Sequence, residues 1–122
     1  MNIECINTPD GDLVVKLCGE MDALGCTKIR PGLEQIAGTE HSNVALDLSQ
    51  VSFLDSSGIG AIVFLYKRLK AQERTLVIVG VQGQPQELMK LLRIDSAIPV
   101  SAMPISTLPG TKPQQKFTQC TG

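Results

Sequence analysis

Charge of one sign does not prevail in this 122-residue chain: the formal net charge is −1, which gives no electrostatic case for nucleic acid or for an anionic membrane as partner. Long apolar runs are also missing. The longest, "AIVFL", falls far short of a membrane span, and the opening "MNIECINTPDGD" has neither the basic region nor the apolar stretch of a signal peptide. A cytoplasmic chain with no membrane attachment is therefore expected. Paired cysteine motifs are absent: Cys5, Cys18, Cys26 and Cys120 form no C-x-x-C, and three of them stand among apolar residues. They read as free thiols filling apolar space, with no metal site and no disulfide. Histidine occurs once, as His41 in the polar "GTEHSN", where it is expected to be a solvated loop residue.

What is present suits one globular domain. A 43% hydrophobic fraction with 19% charge is enough for a single buried core, and the length is too short for two. Residues 2–7 and 12–18 are β-like and flank "TPDGD", whose Pro9, Asp10 and Gly11 make a hairpin turn. "GEMDALGCTKIRPGLEQIAG" follows as a helix, with Asp22 as N-cap, Cys26, Ile29, Leu33 and Ile36 on one face, and Gly38 as its end. Pro31 within it predicts a kink or a locally irregular turn. "NVALDLSQ" reads as a buried strand, and residues 57–71 as a helix burying Ile59, Ile62, Val63, Tyr66 and Leu69. "TLVIVGV" is a further strand, "QPQELMKLLRI" a helix with Leu88, Leu91 and Leu92 on one face, and "AIPVSAM" a short last strand. The alternation gives an α/β fold: one domain over residues 2–102 with a mixed four- to five-stranded sheet, an N-terminal hairpin and helices mainly on one face. Residues 103–122, with three prolines and no sustained period, are expected to be a mobile tail.

The chemistry concentrates at "LDSSGIG", where a strand hands over to a helix. A dinucleotide-binding fingerprint fails, because Val63 stands where its third glycine belongs, and a phosphate-binding P-loop fails for want of Lys and Ser/Thr after the last glycine, so Gly58 and Gly60 read as room for close backbone approach. Neither Ser56 nor Ser57 fits the G-x-S-x-G elbow of a serine hydrolase, since Leu54 and Asp55 occupy the required glycine positions. No enzyme is expected. Helix capping accounts for one polar side chain among Asp55, Ser56 and Ser57 and leaves one serine over. A helix start favours negative charge, so a phosphate carried there need not harm the fold. Phe64, about 140° around the helix from Ile59 and on the side of Arg68, is a candidate exposed anchor.

The strand ending D-L-S, the D-S-S-G-I-G junction and the upstream "GEMD" together resemble the STAS domain of bacterial anti-sigma factor antagonists, over residues 2 to about 102. The resemblance implies a phosphorylation-controlled binding switch. Ser57 corresponds to the serine that is phosphorylated by a partner, an anti-sigma factor or switch protein with serine kinase activity, and restored by a PP2C-type phosphatase. The unmodified form would bind that partner and the modified form let go. The implied partner-binding residues are Asp22, Asp55, Ser56, Gly58 and Phe64, with Ser56 the more structural of the two serines. No cofactor, no direct nucleic-acid binding and a monomer are expected. A different reading within the same family is a module that is not phosphorylated and serves small-ligand binding or assembly.

Overall fold

A computed structural model of the chain describes residues 1–101 and the strand at Gln115–Thr118. Strands β1 (Asn2–Asn7) and β2 (Leu13–Met21) form the expected hairpin, its turn closed by Thr8 and Asp12 and with Gly11 at a φ of 83°. From there helices α1 (Ala23–Ala37), α2 (Ser56–Ala71) and α3 (Gly83–Leu91) alternate with β3 (Asn43–Leu54), β4 (Thr75–Val79) and β5 (Val100–Ser101). A 3₁₀ turn, Ile94–Ser96, precedes β5. The sheet order is β5-β4-β3-β2-β1-β6, where β6 is Gln115–Thr118, antiparallel to β1 on its outer edge. Apart from that strand, the residues expected to form a mobile tail lie outside those described.

The strands β2, β3, β4 and β5 are mutually parallel, and each crossover steps in the same direction across the sheet. Right-handed crossovers that all step one way place their helices on one face. The residues facing them form rows: Leu13, Val44 and Leu76 lie side by side, and Val15, Leu46 and Ile78 form the next row. Against these rows pack Ile29, Leu33 and Ile36 of α1 and Ile62, Leu65 and Leu69 of α2, all nearly inaccessible to solvent.

Several expectations are corrected. Helix α1 runs unbroken through Pro31, which lies on the exposed side, so the lost backbone bond faces water. Strand β3 does not stop at Gln50 but continues to Leu54, because Val51 and Leu54 keep an inward face after the polar "SQ". In α2 the fully buried line is Gly58, Ile62, Leu65 and Leu69, and Val63 and Tyr66 are only half-buried; Leu65 was the missing member. Helix α3 ends at Leu91, so Pro85 and Met89 form its buried side while Leu91 and Leu92 are 78% and 49% exposed. His41 is half-buried, with Nε2 2.7 Å from Asn7 Oδ1.

One arginine ties the far end of α1 to the sheet. Arg74 follows Glu73, whose φ of 59° turns the chain from α2 into β4. Its guanidinium donates to the carbonyls of Ile36, Ala37 and His41, to Gln72 Oε1 and to Thr39 Oγ1. Carbonyls at the end of α1 have no intrahelical donor, and a cation there also complements the helix dipole. Arg74→Ala is expected to lower unfolding free energy by about 2 kcal/mol, seen as a lower urea midpoint at unchanged m-value.

Candidate functional site

Strands β2 and β3 are parallel neighbours, so the helices that follow them start side by side. One extra residue of β3 opposite Lys16–Cys18 and another opposite Gly19–Glu20 shift the register and bring Met21 level with Leu54. One residue later Asp22 caps α1, its Oδ1 accepting from Gly25 N at 2.8 Å. In the same way Asp55 caps α2, its Oδ1 accepting from Ser57 N at 2.9 Å and Gly58 N at 3.2 Å. The Asp55 N–H reaches back to Met21 O at 3.4 Å.

Both starts therefore follow a common D-x-x-G pattern, Asp22 to Gly25 and Asp55 to Gly58, which the sequence shows but which was not singled out. Both glycines are required by space. A Cβ on Gly58 would run into Leu54 Cδ1 and lie 2.8 Å from Met21 O, and a Cβ on Gly25 would run into Glu20 O. Gly58 is buried, so it positions the site from beneath instead of presenting a surface to a partner. Gln84 braces the same corner: its side-chain amide donates to Leu54 O at 2.8 Å and accepts from Leu54 N at 2.8 Å, in the manner of a neighbouring strand.

The serines then separate. Ser56 is exposed, and the cap is supplied by Asp55, so the expected structural role of Ser56 is corrected. Ser57 is half-buried and gives its backbone N–H to the cap, while its hydroxyl makes no hydrogen bond among the described residues. It lines a cavity of about 450 Å³ between α1 and α2, with Cys26, Thr27 and Arg30 on one wall and Ser57, Gly60 and Phe64 on the other. Phe64 is 36% exposed and carries Arg68 over its ring at 5.5 Å, as its helical position implied. Leu24 at 66% and Phe53 at 38% add exposed apolar surface near the two caps. Burial raises the Cys26 thiol pKa; the carboxylates of Asp55 and Asp22 raise it further, and Arg30 opposes them.

Arg30, Leu24 and Phe53 were not singled out from sequence, and Gly60 was read with Gly58 as room for close backbone approach, which holds for Gly58 alone. Gly60 offered the one available signal, because it sits inside a helix where glycine is unfavourable. Unlike Gly58, a Cβ there would meet nothing within 4 Å among the described residues, so no packing among them explains it. What its small size does is keep the cavity open beside Ser57.

Ser57 has no histidine base at hand: His41 lies past the other end of α1, held by Asn7. Among the described residues no group of three His, Cys, Asp or Glu side chains is placed to hold a metal, and no helix is long and apolar enough to cross a membrane. The arrangement offers a free hydroxyl on the rim of the groove between α1 and α2.

The STAS domain family profile matches residues 5–105. The anti-sigma-B factor antagonist of Listeria monocytogenes is 29% identical over 102 residues, covering 82% of this chain and 90% of that one. Among solved structures, an anti-sigma factor antagonist from Mycobacterium paratuberculosis superposes with a TM-score of 0.74 at 22% identity, covering 83% of this chain and 86% of the other. The Bacillus cell fate determinant SpoIIAA in its phosphorylated form gives 0.63 at 16% identity, covering 80% and 89%.

The contrast between the two α2 glycines is measurable. Gly58→Ala should destabilise by about 2 kcal/mol, through overpacking against backbone. Gly60→Ala should stabilise by about 0.5 to 1 kcal/mol, through helix propensity alone, read from the same denaturation curves.

Proposed function

The chain belongs to the STAS domain family, and on that premise we propose that it is an anti-sigma factor antagonist switched by phosphorylation of Ser57. The observation that carries this reading is the division of tasks at the start of α2. Asp55 caps the helix through backbone amides, leaving the Ser57 hydroxyl unengaged on the rim of the groove. Modifying that oxygen leaves the fold's own hydrogen bonds in place.

The partner is an anti-sigma factor or switch protein with serine kinase activity, acting in the cytoplasm where ATP is at hand. It docks across the starts of α1 and α2, with Phe64, Leu24 and Phe53 as apolar contacts and Asp22, Asp55 and Ser56 on the polar rim. In the transfer, the Oγ–P bond at Ser57 forms as the β,γ P–O bond of ATP breaks; ADP leaves and the hydroxyl proton passes to a base of the kinase. The added group brings about −1.5 to −2 charge at neutral pH into the contact. Loss of about 2 to 4 kcal/mol at a hot spot weakens binding roughly thirty- to a thousandfold, enough to release the partner. A PP2C-type phosphatase restores the hydroxyl by hydrolysis.

Incubation with ATP and a kinase-type anti-sigma factor, followed by peptide mapping, should place the phosphate on Ser57, and Ser57→Ala should bind the partner but resist release. Modification mapped to Ser56, or equal affinity of the two forms, would overturn the assignment. Gly60→Ala should weaken partner binding about tenfold or more while its fold is firmer, as titration calorimetry would show.

A further inference from the structure

A phosphate on Ser57 does not find an open helix end. The amides of Ser57 and Gly58 already donate to Asp55, so the positive pole of α2 is satisfied by a carboxylate that the chain itself supplies. Asp22 does the same for α1 next to it. A dianion placed here would meet like charge from both caps unless a cation answered it.

Among the described residues, those lining the groove with Ser57 include a single cation, Arg30. It stands one turn beyond Cys26 on α1 and is exposed, and its guanidinium makes no hydrogen bond among the described residues. Its field reaches the groove floor, where it acts on the Cys26 thiol together with Asp55 and Asp22. The other nearby cations are placed elsewhere. Lys28 and Met1, which carries the N-terminal ammonium, line a separate surface depression with Asp22 and Leu24, and Arg68 lies over the Phe64 ring. Thr27 adds no donor to the groove, since its hydroxyl donates to Ala23 O at 2.9 Å.

We propose that Arg30 receives the phosphate of modified Ser57 across the groove, an intramolecular ion pair that bridges α1 and α2 and closes the cavity a partner enters. The guanidinium fork suits two phosphate oxygens at once. Release of the partner then has two causes, added charge and a filled groove. Gly60, which leaves the space open, makes room for the bridge as well as for the partner. This rests on the reading of Ser57 as the acceptor.

The test uses full-length protein with phosphoserine incorporated at position 57 during synthesis, so it needs neither kinase nor partner. The second ionisation of the phosphate, ordinarily near 6, is followed by phosphorus NMR against pH. A cation in contact favours the dianion and lowers this midpoint; the Asp55 and Asp22 carboxylates raise it. Arg30→Gln should shift the midpoint upward by about half a unit or more, Arg30→Lys by less, and Lys28→Gln, which removes the same charge from the other side of Asp22, should leave it unchanged. Equal midpoints in the Arg30→Gln and parent proteins, or an equal shift from Lys28→Gln, would overturn the ion pair. Failure of the acceptor assignment shows separately, as kinase modification at another residue.

Discussion

The first turn of α2 lies against the backbone of Met21, closer than any side chain allows, and Gly58 is the residue that permits it. This approach sets the spacing of two helix starts at the ends of two adjacent parallel strands. Two positive helix poles held side by side disfavour one another, and the structure answers with a carboxylate on each, Asp22 and Asp55. Clefts outside the carboxyl ends of parallel strands are where α/β folds place their sites, and the groove between α1 and α2 is this fold's version.

The consequence for function is a separation of roles among adjacent residues. Asp55 satisfies the helix, Gly58 packs it down, Gln84 holds Leu54 from the other side, and Ser57 is left with a hydroxyl that the fold does not use. A switch built on such an oxygen can change the surface without a change of fold. The same cap denies an added anion the helix amides, which directs attention to the cation across the groove.

Most of the architecture was legible because burial periodicity is a local property. The hairpin turn, the Asp22 cap, the alternation of strands and helices and the exposed face of Phe64 all follow from spacing. The failures came where tertiary contact overrode the pattern. Val63 and Tyr66 look as apolar as Leu65, and only the angle at which α2 meets the sheet selects Leu65. Leu91 and Leu92 extend an apparent apolar stripe, but α3 packs through Pro85 and Met89, and its last residue, Leu91, and its C-cap, Leu92, stay outside the core. Pro31 signals a kink or an irregular turn, yet α1 stays helical through it, since on the exposed side the lost backbone bond is one the core does not need. His41 reads as a loop residue, and its bond to Asn7 spans a sequence separation that no local rule reaches.

By itself the sequence determined the order of elements, the start of α1 at Asp22, and the small polar junction that carries Ser57, because capping, turn chemistry and periodicity act over a few residues. Only the tertiary structure decided which glycine is packing and which is open space, which of two neighbouring serines faces the groove, and that Arg30 stands across from Ser57. Those are distances between elements far apart in the chain, set when two parallel strands bring their helices together.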